Sequence, residues 1–412
     1  MKYLTTLAVL LATTSLASAA SLDNESFILQ AGNKNTAIAA QKNGNNGQAT
    51  VQVGNKNTAI TAQKTSGDDT NKSGTLQIGT NNTALTAQTG GNNAQGTLQV
   101  GNNNTALTLQ SNSSSNENKS TTAQIGNGNT SVAAQSQGDN TQNTLQLQDK
   151  NTALTSQTNG AKGGNNNSTT IEAGANNTAL TLQDTAGNGA KGGKGGDNDS
   201  TALQFGKKNV AITAQEAAGT GTGPAAQGGV ENDSTSLQVG NKNQALTAQG
   251  GTRDGKAADQ ALNDSFVGQF GNGNTALVGQ KNGNNDQASI QVGNNNTALT
   301  GQKTADAGTG INGALTVQAG NGNLALSRQK IANPATTGVN GSLIAQIGNK
   351  NTAVASQGDT GLQPMIGANL QATVQVGNGN TSITTQTASA SLTNASVTAQ
   401  FGSHNVAITA QK

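Results

Sequence analysis

The feature that most constrains this chain is a single pattern laid along it fifteen times: N-x-[SQ]-x-x-x-Q-x-G-x-x-N-x-A-x-x-x-Q. One copy runs from Asn93 through Gln95, Gln99, Gly101, Asn104 and Ala106 to Gln110. The leading Asn (Asn24 in the first copy, Asn394 in the last), the second Asn (Asn35 to Asn405) and the final Gln (Gln41 to Gln411) are never missing. The central Gln fails once, at Glu172, and the Gly once, at Gln148. The Ala position becomes Ser only at Ser131 and Ser382. Self-similarity at a fixed unit is the mark of a repeat architecture in which each unit buries its face only against its neighbours.

Within each copy the pattern has period two, the period of a strand. Asn, Ser or Gln, a Thr or aliphatic residue, and Gln share one face, with residues such as Leu98 and Val100 on the other. The second half repeats this, with Asn104, Ala106, Thr108 and Gln110 opposite Leu107 and Leu109. Between the halves lies Gly-Asn-x-Asn, as in Gly54-Asn55-Lys56-Asn57, and these residue types tolerate positive φ in a tight turn. Each unit therefore reads strand, turn, strand. From one central Gln to the next the distance runs from 22 residues (Gln30 to Gln52) to 34 (Gln204 to Gln238). Fixed units with elastic connectors, the longest being Glu216 to Glu231, predict an all-β solenoid of about fifteen stacked rungs, amyloid-like in character.

Stacking places equivalent side chains about 4.8 Å apart, the spacing at which an amide can donate to the same amide on the next rung. Burial arguments favour the aliphatic face inward. Constraint on size and chemistry favours the Asn/Gln/Ala face, because the aliphatic positions swap freely and include Gly279, Gly301 and Arg328. The amide face is expected inside, with the aliphatic faces left for lateral contact.

Composition sets the remaining bounds. Aromatics are 1% of the 412 residues and hydrophobic residues 32%, too little for a thick apolar core. The balance of 22 Lys+Arg against 20 Asp+Glu, with no basic face, leaves no footprint for nucleic acid. With no Cys there is no disulfide or thiol chemistry. Lys2, the apolar run Leu7 to Leu16 and Ala17-Ser18-Ala19 read as a secretory signal over residues 1–19, cleaved after Ala19. The repeat domain then covers 20–412, its first copy beginning near 24 and its last ending near 411, exported through the periplasm to the cell surface or beyond, without a membrane span.

The segment Gln52-Val53-Gly54-Asn55-Lys56-Asn57-Thr58-Ala59-Ile60-Thr61-Ala62-Gln63 and its fourteen relatives resemble the repeat of the curlin family, Q-x-G-x-x-N-x-A-x-x-x-Q. The resemblance covers nearly everything after residue 23. It implies a secreted functional amyloid of biofilm matrix, a pilus-like fibre serving cell adhesion and surface attachment, folded as a β-solenoid with Gln and Asn ladders inside. It further implies that the ladder residues drive assembly: Gln30, Asn35 and Gln41; Gln52, Asn57 and Gln63; Gln77, Asn82 and Gln88; Gln99, Asn104 and Gln110; and, at the far end, Gln375, Asn380, Gln386, Gln400, Asn405 and Gln411. The partners so implied are the chain itself, other curlin-like subunits, and a secretion pore or chaperone. The family's typical subunit has fewer repeats, and its units usually begin with Ser where this chain has Asn.

Enzyme chemistry finds no support in the pattern. The one histidine, His404, sits in a turn without a recurring acid partner. Gly192-Gly193-Lys194-Gly195-Gly196-Asp197 looks like a calcium nonapeptide but occurs once and has Asp199 where that motif needs a large apolar residue. No cofactor or metal site is expected. Charges gather in turns, and Asp149, Lys150, Lys207 and Lys208 are candidate gatekeepers against premature aggregation. The rival reading is a monomeric secreted β-solenoid, an adhesin or ligand-binding surface presenting its regular threonines, such as Thr58, Thr83 and Thr105.

Overall fold

A computed structural model describes residues 24–65, 69–112, 116–159, 164–185, 196–220, 230–254, 261–304, 310–332, 338–359, 368–388 and 393–412. Residues 1–19, read as an export signal, and most of the glycine-rich segment 192–197 lie outside them. The described residues form an all-β solenoid. First strands of successive repeats line up in one parallel sheet of fifteen strands, and second strands in another. Among the described residues no helix is long and apolar enough to cross a membrane.

Register is set by the amides. Strand Asn45–Asn55 pairs with Thr70–Thr80 so that Asn46 meets Asn71, Gln52 meets Gln77 and Gly54 meets Gly79. Strand Thr58–Lys64 pairs with Thr83–Thr89, aligning Ala59 with Ala84 and Gln63 with Gln88. A slip of one residue would turn every amide to the opposite face.

The chain divides into two compact units: Met1–Asn159 with Asn167–Ala179, and Gly160–Asn166 with Leu180–Lys412. In the first unit the interior between the sheets is polar, holding Gln52, Asn57, Gln77 and Asn82 at 0% exposure beside Ala59 and Ala84. The second unit repeats this with Gln238, Asn243 and Ala276. Among the described residues the bulkiest fully buried side chains are glutamines, Ile344 excepted. The aliphatic residues face out: Val53 is 42% exposed, Leu85 36% and Val292 47%. The invariance of the amide face thus identifies the inside correctly. Burying amides is tolerable where they are hydrogen-bonded, as Gln52 and Gln77 are, and the cost of desolvation falls on atoms left unpaired, such as Gln287 Nε2.

The turn explains its glycine. Gly54 adopts φ 121°, and a Cβ there would lie 2.0 Å from the Gly79 carbonyl oxygen of the next rung. Two residues on, Lys56 holds a left-handed φ of 56°. Both sheets reach further than the repeat pattern indicates. Strand Val210–Thr220 runs past Gln215 into the segment expected to be a surface excursion, and Val230–Asn241 begins inside it. The alternation simply continues: Ala217 and Val230 are fully buried.

Candidate functional site: the amide columns

The recurring glutamines form two hydrogen-bonded columns in each unit. In the first unit Gln30 Nε2 donates to Gln52 Oε1 (2.6 Å), Gln52 to Gln77 (2.7 Å), Gln77 to Gln99 (2.8 Å) and Gln99 to Gln124 (2.9 Å). The final glutamines run alongside: Gln41 donates to Gln63 (2.9 Å), Gln63 to Gln88 (2.7 Å) and Gln88 to Gln110 (2.8 Å). In the second unit the columns end with Gln375 donating to Gln400 and Gln386 to Gln411, both at 2.7 Å. The second N–H of each amide crosses the interior. Gln52 Nε2 also donates to the Thr36 carbonyl (3.0 Å), and Gln63 Nε2 to that of Gly47 (3.1 Å). One side chain therefore ties neighbouring rungs together and also joins the two sheets.

The leading asparagines make a third column of opposite polarity. Asn140 Nδ2 donates back to Asn118 Oδ1 (2.7 Å), and in the second unit Asn232 donates back to Asn198 (2.7 Å) and Asn394 to Asn369 (3.0 Å). In these bonds the central and final glutamines donate towards the C-terminus, whereas Asn140, Asn232 and Asn394 donate towards the N-terminus.

The second asparagine pins the turn. Asn57 Oδ1 accepts the Asn82 backbone N–H (3.1 Å), while Asn57 Nδ2 donates to the Gly79 carbonyl (3.0 Å). Asn35, Asn104, Asn380 and Asn405 occupy the same position: Asn35 Oδ1 accepts from Asn57 N, Asn104 Oδ1 from Asn129 N, and Asn380 Oδ1 from Asn405 N, each at 3.0 Å.

Two columns escape a reading of invariant positions. The residue after the turn glycine forms an exposed ladder, Asn241 to Asn272 (2.9 Å), Asn272 to Asn294 (3.1 Å) and onward to Asn378. Its signal in the sequence is the first Asn of Gly-Asn-x-Asn, interrupted by residues such as Thr80. The Ser/Gln position is also a device. Ser73 Oγ donates to Gln95 Oε1 (2.7 Å) and Ser120 Oγ to Gln142 Oε1 (2.7 Å), and each of these glutamines then donates to a threonine two residues on, Thr97 or Thr144. Small and large alternate so that a long amide fits over a serine. Where Ser follows Ser, at Ser200 and Ser234, the buried hydroxyls have no hydrogen-bond partner.

The proposed gatekeepers take ordinary column positions. Asp149 stands in the exposed ladder, accepting from Asn127 N (2.8 Å) and Nδ2 (3.1 Å). Lys207 is its counterpart in the second unit, its backbone N–H donating to Asn241 Oδ1 (3.0 Å). Lys150 and Lys208 sit at the left-handed turn position with φ 57° and 58°, as does His404 at 58°.

Glu172, the one departure in the central column, is fully buried. Gln146 Nε2 donates to its Oε2 at 2.7 Å, and Oε1 is buried with no partner. Burial pushes its pKa up to about 8, against the lowering effect of Gln146 and the Ala179 backbone. The carboxyl is therefore largely protonated at neutral pH. A neutral acid presents one accepting oxygen and one O–H, the same two faces as a glutamine amide.

No family model matches the chain, and no curated protein is significantly similar to it.

Proposed function

We propose that this chain is a non-enzymatic structural subunit of an extracellular fibre of the curli kind, exported by its N-terminal signal and assembled end to end by cross-β pairing into adhesive biofilm matrix. The observation that carries this reading is the opposed polarity of the columns. Gln30 and Gln41 donate into the second rung, so their carbonyl oxygens lie on the side away from it, while Asn24 Oδ1 is spent accepting from Asn46 (2.7 Å). At the rung Asn394–Gln411 the requirement is reversed. Gln400 Nε2 donates to the Thr381 carbonyl (3.0 Å) and Gln411 Nε2 to that of Ala395 (2.9 Å), each with a second N–H to give. Glutamine donors and an asparagine acceptor at one rung complement glutamine acceptors and an asparagine donor at the other, so two copies fit head to tail in register and mismatch otherwise.

Strand edges add to this. In the rung Asn394–Gln411, Val397, Phe401 and Ile408 are 81%, 70% and 72% exposed, well above the same columns in inner rungs. An open edge of backbone N–H and C=O groups is a template for another strand. The test is incubation of the mature protein at micromolar concentration with an amyloid dye, followed by electron microscopy. Dye-positive filaments that seed further growth are expected. Protein that stays monomeric for days would sink the reading.

A further inference from the structure

The second unit carries two charged columns that end-to-end assembly does not use. On the outer face of the first sheet Asp199 aligns with Asp233, Asp233 with Asp264, and Asp264 with Asp286, one per rung. Asp197 and Glu231 stand in register beside them. On the outer face of the second sheet Lys281 aligns with Lys303 and Lys303 with Lys330, and Arg328 projects from the same strand as Lys330. All four aspartates and all three lysines are exposed. The aspartates feel one another: Asp233 and Asp264 have raised pKa values, from burial first and then from Asp199 and Asp264 on the one and Asp286 on the other.

Both columns lie along the same edge of the rungs. Gln280, next to Lys281, donates across the interior to the Asp264 carbonyl (2.7 Å), and Gln302, next to Lys303, to that of Asp286 (2.8 Å). The two side-chain sets nevertheless point in opposite directions, from the outer faces of two sheets packed against each other. They cannot pair within one copy.

We propose that this acidic column docks against the basic column of a second copy of this chain, joining copies side by side, sheet face to sheet face. A plain translation perpendicular to the sheets brings the first face of one copy onto the second face of the next with the charged edges on the same side. A stagger of one rung, about 4.8 Å, sets Asp233, Asp264 and Asp286 opposite Lys281, Lys303 and Lys330. The same translation lays apolar columns together, Val239, Phe270 and Val292 on one face and Leu246 and Leu277 on the other. Gly279 and Gly301 leave open space between the leucine and lysine columns, where the facing side chains can enter. The contact is heterologous and relates copies by translation, so it propagates sideways without closing. A metal ion is the weaker occupant for the acidic column, since among the described residues no group of three or more acidic or imidazole side chains is disposed to hold one.

The test uses the full mature chain, with unlabelled and heavy-isotope-labelled copies mixed and treated with a zero-length carbodiimide. Cross-links between labelled and unlabelled copies are expected from Lys281, Lys303 or Lys330 to the aspartate column. Association by sedimentation, and filament bundling by electron microscopy, should fall roughly tenfold or more when salt rises from about 0.05 M to about 0.5 M. K281E/K303E/K330E and D233K/D264K/D286K should each lose side-by-side association alone and recover it when mixed. Circular dichroism checks that each variant keeps its fold, and the salt series on the unaltered chain reads the same contact without mutation. Association that persists in either variant alone, or that depends on millimolar Ca²⁺ and not on the lysines, would overturn the proposal. Filaments that form but stay single would overturn it while leaving end-to-end growth intact.

Discussion

Gln146 donates its Nε2 hydrogen to Glu172 Oε2 at 2.7 Å, so an acid takes the acceptor's place in a column otherwise made of glutamines. The folded pKa of about 8 lies above the ordinary 4.5, so the folded state binds the proton more tightly than the unfolded one. The stabilisation is therefore fully present below pH 4.5 and is lost as pH rises through about 8. The loss over that window is on the order of 5 kcal/mol. Denaturant midpoints measured between pH 4 and 9 should fall with rising pH. Glu172→Gln should flatten that slope and raise the midpoint most on the alkaline side. An unchanged slope in the variant would show that Glu172 does not carry it.

Removing ladder amides should hurt far more than removing a turn charge. Gln52→Ala takes away the acceptor for Gln30 and the donor to Gln77, and Gln63→Ala does the same between Gln41 and Gln88. Each buried amide left unpaired costs about 1–3 kcal/mol. The double variant should unfold at lower denaturant and show a lengthened lag in dye-monitored assembly. Lys56→Ala, which changes an exposed turn side chain, should assemble at the parental rate.

The contrast between those variants shows what the sequence makes legible. Gln52, Asn57 and Gln63 stand out because one residue type alone satisfies a column that must both donate and accept at strand spacing, so repetition exposes the inside directly. The Ser73–Gln95 pair does not stand out, because its rule is a relation between rungs and the position by itself looks merely variable. The strand extension to Ala217 was hidden by Gly- and Ala-rich composition that reads as a loop. Glu172 is visible as an exception, but its protonation follows from complete burial, which only the packed structure supplies.

The left-handed turn position offers a gain in stability. Lys56 pays a steric penalty at φ 56°, whereas the equivalent Gly128, Gly273, Gly322 and Gly379 hold φ of 66° to 68° without a Cβ. Lys56→Gly should raise stability by up to about 1 kcal/mol, less the chain entropy that glycine adds to the unfolded state. A lower thermal midpoint in this variant would mean that the Lys56 side chain does more than occupy solvent.

Among the described residues Ile344 is the one bulky aliphatic in the set of largest fully buried side chains, and it clusters with Ala325, Ala353 and Ala355. Most first strands carry Thr where Ile344 stands, and most second strands carry Thr where Ala355 stands, as in Thr50 with Thr61 and Thr97 with Thr108. A large residue on one sheet is thus matched by a small one on the other within the same rung. Ala355→Thr alone should overpack this rung, at about 1–3 kcal/mol. Ile344→Thr alone should leave a gap and an unmatched hydroxyl, at a similar cost. The double variant recreates the Thr–Thr rung found elsewhere in the chain, so its loss should be smaller than the sum of the two by about 1 kcal/mol or more. A denaturant double-mutant cycle reads that coupling directly, and simple additivity would show that Ile344 and Ala355 were chosen independently.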